Sequence, residues 1–320
     1  MNPSPFHSLR RALLLAVALA FTASAQARET VRISFQRSST LLTLIKQSGS
    51  LEKKLAPLGY DVSWHELNGN ALLTALNTGS VDIHADVADA YALFTQAADA
   101  PLTYFAKETA APTAQSVIVR ADSPIQKVAD LKGKRVTVLK GAGAHYLLLT
   151  ALKQAGLKAS DIDLRFLDVQ DGVAAYNGGS VEALSVWDPL LGLQLQGGKS
   201  RVLADGRSAN VEYSRYYTAT TAFAKAQPQV LKVVFDELQA TGRWVKANPK
   251  EAADRLSPIW GNVPPATVEQ VNARRSYAIV PVQREGLSEL QRIADTFREA
   301  GLINRELKAT SVDIWTAPQP

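Results

Sequence analysis

The stretch Val31-Arg-Ile-Ser-Phe-Gln-Arg-Ser-Ser-Thr-Leu-Leu-Thr-Leu-Ile45 (VRISFQRSSTLLTLI) carries the pattern on which the fold depends. Its first half alternates apolar and polar residues, as a β-strand does, and the polar turn Arg37–Thr40 follows. From Leu41 onward, leucines and isoleucine recur at near-helical spacing. A strand, a short turn and a helix in direct succession are the unit of an α/β fold.

The same alternation continues along the chain. In the first series we predict strands at Tyr60–Trp64 and Val81–His84 and helices at Ala71–Asn77 and Tyr91–Ala98. In the second series we predict strands at Ser116–Arg120, Arg135–Leu139, Leu164–Leu167, Val181–Val186, Arg201–Leu203 and Tyr216–Phe223, and helices at Gly141–Gln154 and Asp171–Asn177. Short links between such elements favour parallel strands with right-handed crossovers.

The length of the chain favours two lobes, each a mostly parallel sheet flanked by helices, with a cleft between them. We predict residues 28–115 and 217–320 as the first lobe and residues 116–216 as the second. From Pro228 onward the chain is mostly helical, and Val230–Val245 has one apolar face. That region lacks the strands for a third sheet, so we expect it to pack back onto the first lobe.

The N-terminal residues have the features of a secretory signal. Arg10 and Arg11 precede an apolar run that is too short to span a bilayer, and Ala25-Gln26-Ala27 has the small-x-small cleavage pattern. We predict residues 1–27 as a signal peptide with cleavage after Ala27. Because the chain has no cysteine, a lipid anchor on an N-terminal cysteine is excluded. We therefore expect a soluble periplasmic protein.

Composition excludes several function classes. Without Arg10 and Arg11, the 35 basic residues fall to 33 against 30 acidic ones. Such a mild balance argues against a nucleic-acid surface, which needs clustered basic residues. The absence of cysteine removes disulfides, thiolate metal sites and cysteine nucleophiles. No Gly-x-Ser-x-Gly motif for a serine hydrolase occurs, and His145 is the one candidate that we would consider as a general base.

Two loops combine the features of an anion site. Gln36–Thr40 and Lys140–Ala144 each leave a strand and enter a helix, one in each lobe. In open α/β sheets such loops border the ligand cleft, and helix N-termini bind anions through free N–H groups. Simple helix capping is the alternative for each loop, since Ser, Thr and Gly also cap helices.

A set of ordered strings resembles a known family. The strings are Val31–Gln36, Leu51–Leu55, Leu76–Asp82, Phe94–Ala98, Ala111–Ala114, Ser123–Ile125, Val128–Lys134, Lys140–His145, Trp187–Pro189, Arg243–Pro249, Arg274–Tyr277 and Gln291–Phe297. Together they resemble the periplasmic binding proteins of ABC importers for nitrate, sulfonate and taurine, most closely the aliphatic sulfonate-binding branch. The resemblance runs from about residue 31 to residue 315.

The resemblance implies a monomeric, hinge-closing binding protein without catalysis or cofactor. It implies capture of an aliphatic sulfonate in the periplasm and delivery to an ABC permease in the inner membrane. Taurine, nitrate or a sulfate ester is the alternative cargo, and an enzyme on the same fold is a further alternative. By resemblance, the ligand-binding residues are Gln36, Ser38, Ser39, Thr40, Gly143, Ala144, His145, Trp187 and Asp188.

The cargo's tail needs an apolar wall, for which Trp187, Tyr91 and Tyr217 are candidates. We expect Arg275 at the surface or the hinge, although its forked guanidinium would suit an anion.

The segment from Gly79 to Phe94 (GSVDIHADVADAYALF) allows two interpretations. His84 and Asp86 share one face of the predicted strand, as metal ligands would. Because no second cluster supplies further ligands, we predict no metal site and interpret the segment as an edge of the cleft. Asp89 then caps the next helix or contacts a positive part of the cargo. Tyr91 stands where the family pattern has a proline, which bears on the identity of the cargo.

Overall fold

The computed structural model describes residues 28–36, 38–67, 69–84 and 86–318. The predicted signal peptide and its cleavage site lie outside these residues. Within the described part of the chain, no helix has both the length and the apolar character needed to cross a bilayer.

The first half of the chain builds most of one sheet and its flanking helices. Its elements are β1 (Glu29–Phe35), α1 (Thr40–Ser48), α2 (Ser50–Leu55), β2 (Tyr60–Glu66), α3 (Gly69–Thr78), β3 (Val87–Ala88), α4 (Asp89–Ala97) and β4 (Leu102–Glu108). β1 and β2 pair in parallel, as the sequence predicts. Gly49, in the left-handed conformation at φ 61°, ends α1 and separates it from α2.

The predicted strand Val81–His84 is not a regular strand. Only Ile83 forms ladder bridges, one parallel to Ile33 and one antiparallel to Ala219. The strand pairing continues further on, where β3 lies antiparallel to the strand that contains Arg215. The chain therefore leaves the strand pairing after Ile83 and rejoins it at β3. Asp86 lies in the segment between these two points.

The middle of the chain forms a second sheet. Its elements are β5 (Gln115–Arg120), β6 (Arg135–Val138), α5 (Gly143–Gln154), β7 (Asp163–Phe166), α6 (Val169–Asn177), β8 (Ala183–Trp187), α7 (Leu190–Leu195) and β9 (Ser200–Asp205). The strand order is β7-β6-β8-β5-β9. β6 is parallel to β7 and β8, whereas β5 is antiparallel to β8 and β9. Antiparallel strands thus join the predicted parallel ones.

The last part of the chain returns to the first sheet. Its elements are α8 (Gly206–Ala209), β10 (Arg215–Thr220), α9 (Thr221–Ala226), α10 (Pro228–Ala247), α11 (Pro249–Leu256), α12 (Pro265–Arg274), β11 (Ile279–Val280), α13 (Ser288–Glu299) and β12 (Asp313–Ile314). β10 is antiparallel to β3 on one side and to β4 on the other. The predicted strand Tyr216–Phe223 ends early because the Thr220 hydroxyl accepts from the Phe223 N–H and caps α9.

The C-terminal helices pack on the first lobe, as we expected, and also contact the second sheet layer. α10 packs on α1 and α2 of the first layer. α12, however, contacts α7, and α13 contacts both α4 and α5. The apolar core reflects this arrangement, because Leu93 of α4, Leu147 of α5 and Phe297 of α13 belong to one continuous cluster.

Two crossings connect the sheets, one between β4 and β5 and one between β9 and β10. The Ala111 N–H donates to the Tyr213 carbonyl at 3.1 Å, which ties the crossings together. Gly206 permits a close approach, since a Cβ there would lie 2.4 Å from the Val211 oxygen and 2.5 Å from the Pro112 oxygen.

The predicted lobe boundaries fall near these crossings. The predicted division assigned Gln115 to the first lobe and Tyr216 to the second. Their strands, β5 and β10, belong to the second and the first sheet respectively. The exact limits of the lobes stay a prediction.

Candidate ligand-binding cleft

A cleft of about 620 Å³ lies between the two sheets. The turn after β1, strand β3, helix α4 and the start of β10 border it from the first sheet. The loop after β6, the residue before α6 and the end of β8 border it from the second. Both loops that the sequence predicts as an anion site therefore reach one cavity.

Gln36 and Ser38 line the cleft, whereas Ser39 and Thr40 do not. Ser39 is fully buried, and its hydroxyl accepts from the Gln36 N–H at 3.1 Å. Thr40 is also buried, and its hydroxyl accepts from the Tyr277 hydroxyl at 3.1 Å. Ser39 shapes the turn and Thr40 anchors α1 to the core, and neither side chain borders the cavity. Their predicted ligand contacts stay a prediction.

The loop after β6 brings backbone to the cleft. Residues 140–143 line it, and Gly143 is the first residue of α5. A Cβ on Gly143 would lie 3.1 Å from the Gln115 Oε1 and 3.2 Å from the Tyr213 ring. Gly141, at φ 77°, lies so close to Phe94 that a Cβ would come within 2.7 Å of the ring. Glycine at these positions lets the N-terminus of α5 face the cavity.

Ala144 and His145 lie behind this loop and do not line the cleft. Ala144 is buried, and its carbonyl accepts from the Ser185 hydroxyl at 2.7 Å. The His145 Nδ1 accepts from the Gly141 N–H at 3.1 Å. Burial, and secondarily the charge of Lys140, lowers the pKa of His145 to about 4. The imidazole is thus neutral at physiological pH and holds the loop in shape.

Arg215, which the sequence prediction missed, is a buried cation that lines the cleft. Its Nε donates to the Asp86 Oδ2 at 2.5 Å, and its Nη2 donates to the Asp86 carbonyl at 3.1 Å. The pairing of β3 with β10 sets Ala88 opposite Arg215 and so brings Asp86 beside it. The sequence signal was weak, because Arg215 directly precedes the predicted strand Tyr216–Phe223, and charged residues are rarely buried unless they are paired.

A second arginine completes a buried ion network. Arg275 pairs with Glu108, with 3.1 Å between Nε and Oε1, and its Nη2 lies 3.5 Å from the Asp86 Oδ2. Arg275 is therefore in the interior, so of the two places we had expected, the surface is wrong and the hinge stays a prediction. The positive charges of the two guanidinium groups are balanced by the negative charges of the two carboxylates. Charges in a protein interior need this kind of pairing to offset the cost of removing them from water.

His84 and Asp86 have different surroundings in the structure, and they do not form a pair of ligands. His84 is fully buried, and neither ring nitrogen has a hydrogen-bond partner among the described residues. Burial lowers the pKa of His84 to about 3, so the ring is neutral. Asp86 instead forms an ion pair with Arg215. In the described part of the chain, no group of three or more His, Cys, Asp or Glu residues could hold a metal ion.

Asp89 is buried at the start of α4 and does not line the cleft. Its carboxylate accepts from the Ala90 N–H at 2.8 Å and from the Ser214 N–H at 2.9 Å. Desolvation raises its pKa to about 7, although these two hydrogen bonds act in the opposite direction. Asp89 stands in the first turn of α4, after the N-cap residue Ala88, which makes no side-chain cap hydrogen bond. The two roles considered for Asp89, a helix cap and a contact with cargo, both stay predictions.

Among the remaining predicted residues, Tyr91 and Trp187 line the cleft, whereas Asp188 and Tyr217 do not. Asp188 accepts from the Arg274 Nε at 2.7 Å and Nη2 at 2.6 Å, which links the end of β8 to α12. Tyr217 is fully buried in the core of the first sheet.

The apolar part of the lining was only partly predicted. Besides Tyr91 and Trp187 it contains Phe94, Leu139, Tyr213 and Leu302. Asp168 and Lys140 are exposed at its rim. The cleft therefore has a polar region around Arg215, Ser38 and Gly143. It also has an aromatic wall, formed by the rings of Tyr91, Phe94, Trp187 and Tyr213.

Comparison with known proteins identifies the family. The family model described as "NMT1/THI5 like" matches residues 59–252. A putative aliphatic sulfonates-binding protein of Escherichia coli is 33% identical over 96% of this chain and 95% of its own length.

Solved structures agree. The periplasmic aliphatic sulphonate binding protein of Escherichia coli has a TM-score of 0.84 at 33% identity, covering 91% of this chain and 94% of that one. The alkanesulfonate-binding protein of Xanthomonas axonopodis pv. citri, bound to MOPS, has a TM-score of 0.78 at 31% identity, covering 88% and 96%. These matches confirm the two-lobed α/β fold and the predicted resemblance, and the chain belongs to the NMT1/THI5-like family.

Proposed function

We propose that this chain is the periplasmic substrate-binding component of an ABC importer and that it captures an aliphatic sulfonate. The observation that carries the proposal is the cleft, which combines a buried arginine with a helix N-terminus and an aromatic wall. Relatives that cover nearly the whole chain are named for binding the same class of compound.

The polar region suits a sulfonate group. A sulfonate is a fixed monoanion with three acceptor oxygens and no proton to donate, so it requires donors. The guanidinium of Arg215, the side chains of Gln36 and Ser38 and the backbone N–H groups at the start of α5 supply them. Charge-assisted hydrogen bonds of this kind are roughly twice as strong as neutral ones.

The ion network explains why Arg215 is ready for an anion. Asp86 occupies the Nε and one Nη2 proton of Arg215, and this holds the guanidinium in one orientation. The Tyr213 hydroxyl lies 3.4 Å from Nη1, on the cleft side. Since a guanidinium has five N–H donors, some remain for a ligand.

The rest of the cycle follows from the architecture. Two crossings between two lobes form a hinge, and two-lobed proteins close around their ligands by hinge motion. We propose that the mature protein, released by cleavage after Ala27, acts in the periplasm as a monomer and delivers its cargo to an inner-membrane permease.

Calorimetric titration tests the proposal. The mature chain, residues 28–320, is unfolded and refolded to remove carried-over ligand and is then titrated with ethanesulfonate, octane-1-sulfonate, taurine, HEPES, sulfate and nitrate. The proposal expects tight binding of the alkanesulfonates and weak binding of sulfate and nitrate. Preference for nitrate or sulfate over every sulfonate would contradict it, and preference for taurine would reassign the cargo to aminosulfonates.

A further inference from the structure

The crossing between β9 and β10 carries two of the side chains that border the cleft. Residues 211–214 belong to no helix or strand, yet Tyr213 lines the cavity. Arg215, two positions further along, begins β10 and lines the cavity as well. The orientation of both side chains therefore depends on the backbone of this short segment, and the contacts that fix this backbone bear on binding.

The backbone of Tyr213 has a conformation that is unfavourable for a large residue. Its φ is 55°, in the left-handed region that residues other than glycine rarely adopt. Such a conformation costs free energy and persists only where surrounding contacts hold it. One of these contacts comes from the other crossing, where the Ala111 N–H donates to the Tyr213 carbonyl at 3.1 Å.

Two buried carboxylates hold the residues on either side of Tyr213. The Glu212 N–H donates to the Glu289 Oε1 at 3.0 Å, and the Ser214 N–H donates to the Asp89 Oδ2 at 2.9 Å. The Asp89 N–H in turn donates to the Ser214 carbonyl at 3.0 Å. Hydrogen bonds to a charged acceptor are stronger than neutral ones. Both neighbours of Tyr213 are thus anchored, one to α13 and the other to α4.

Glu289 reaches the crossing from outside the cleft. Its side chain is buried and does not border the cavity, and it forms an ion pair with Arg292 on the same helix. Burial of a carboxylate is unfavourable unless hydrogen bonds and opposite charges compensate it. The Glu212 N–H is one of the compensating partners, so this carboxylate links α13 to the crossing.

Resting on the proposed function, we propose that Glu289 is a positioning residue for anion binding. Opposite Asp89, it holds residues 212–214 in one conformation before the ligand arrives, so that Tyr213 and Arg215 already face the cleft. Glu289 itself does not contact the cargo. Without it the crossing adopts other conformations as well, and the observed affinity falls in proportion to the fraction of molecules in which the segment is in place.

Calorimetric titration of two Glu289 variants with octane-1-sulfonate tests this. Glu289→Met removes the acceptor of the Glu212 N–H, and we expect Kd to rise about tenfold at unchanged stoichiometry. Glu289→Gln keeps an acceptor oxygen, so its Kd should stay within about twofold of the wild-type value. Glu251→Met is the control, because Glu251 also pairs with an arginine on its own helix but does not line the cleft.

The titration separates positioning from a purely structural role. Loss of folded protein lowers the stoichiometry and leaves the Kd of the remaining molecules unchanged, whereas loss of positioning raises Kd. Stopped-flow fluorescence should show the tenfold effect of Glu289→Met in the association rate constant, with dissociation near the wild-type rate. An unchanged Kd in Glu289→Met, an equal loss in Glu289→Gln, or an effect confined to dissociation would overturn the inference.

Hydrogen exchange of the wild-type protein decides the case if Glu289→Met does not fold. The inference expects slow exchange of the Glu212 and Ser214 amide protons without ligand, because both hydrogen bonds exist before binding. Exchange at the rate of an unstructured chain would overturn it. Absence of sulfonate binding by the wild-type protein would overturn the proposed function, whereas a failure confined to the Glu289 variants overturns the inference alone.

Discussion

At the scale of single residues, anion binding depends on how Arg215 is held. Its side chain is only 10% exposed, and its charge is compensated by Asp86 in the same buried network as Arg275 and Glu108. A guanidinium fixed in this way does not have to be ordered when the ligand arrives. Pre-organisation of this kind contributes to affinity by reducing the cost of binding.

Replacing the guanidinium should weaken binding strongly. Arg215→Met removes a charge-assisted hydrogen-bond donor, and we expect the Kd for octane-1-sulfonate to rise about 10- to 100-fold. Arg32→Met is the matched control, because Arg32 also pairs with an aspartate, Asp82, but does not line the cleft. Calorimetric titration of both variants measures the difference. Equal affinity of Arg215→Met and the wild-type protein would exclude Arg215 from the anion site.

Asp89 gives the stability of the protein a specific pH dependence. Burial raises its pKa from 3.8 to about 7, so the folded chain retains a proton that the unfolded chain has lost between these values. The stabilisation by protonated Asp89 is complete below about pH 4 and is lost as the pH rises to about 7. Asp89→Asn cannot titrate. The unfolding free energy of the wild-type protein, relative to that of Asp89→Asn, should therefore fall by ~4 kcal/mol from pH 4 to pH 8.

Urea unfolding of both proteins across this pH range measures the difference. Because the constant effect of the amide cancels in the comparison, only the pH-dependent part is diagnostic. Parallel pH profiles of the two proteins would show that Asp89 does not titrate in this range.

At the scale of elements, the sequence predicted where the cleft is but not which side chains face it. Both anion-site loops were located because a strand, a polar turn and a helix follow one another directly. Ser38 and Ser39, however, are adjacent and chemically identical, yet one lines the cleft and the other is buried. Whether each side chain faces the cleft depends on the backbone path of the turn, which the periodicity of the sequence does not encode.

The second limit on prediction from the sequence was the pairing of residues that are far apart in the chain. Asp86 and Arg215 are separated by 129 positions in the chain, and only the antiparallel register of β3 and β10 brings them together. The same holds for the ion pair of Asp188 and Arg274. From the sequence, Asp188 was assigned to the cleft and Arg274 had no predicted role. Ion pairs of this kind require the tertiary fold before they can be recognised.

The crossings between the sheets give a prediction at this scale. Gly206→Ala would place a methyl group 2.4 Å from one carbonyl oxygen and 2.5 Å from another, both on backbone that cannot rotate away. We expect a loss of ~1–3 kcal/mol or more in the free energy of unfolding, measured by urea titration. Gly286→Ala is the control, because a Cβ there meets nothing within 4 Å. Equal stability of the two variants would show that the crossings do not pack tightly.

At the scale of the whole molecule, α13 joins the two layers. Phe297 of this helix contacts Phe94 of α4 at 5.6 Å and His145 of α5 at 5.9 Å between ring centroids. The sequence predicted two sheets and a helical C-terminal region. It did not predict this bridge, because an apolar helix face does not specify how many neighbours it covers.

Removing the bridging ring should cost a large part of the stability. We expect Phe297→Ala to lower the free energy of unfolding by ~3–5 kcal/mol, as is usual for a buried phenylalanine. Phe166→Ala, where the ring is 45% exposed, should cost less than about 1 kcal/mol. Urea unfolding compares the two. A Phe297→Ala cost as small as that of Phe166→Ala would contradict the role of α13 as a bridge.

The most direct test of the account is to locate the sulfur atom of a bound sulfonate. Residues 28–320 contain neither cysteine nor methionine, since the single methionine is Met1. In crystals of residues 28–320 with octane-1-sulfonate, any anomalous sulfur signal within the protein therefore comes from the ligand. The account predicts a sulfur peak in the cleft with sulfonate oxygens about 3 Å from the Arg215 guanidinium and the Gly143 N–H. A peak outside the cleft, or at its rim beside Lys140, would contradict it.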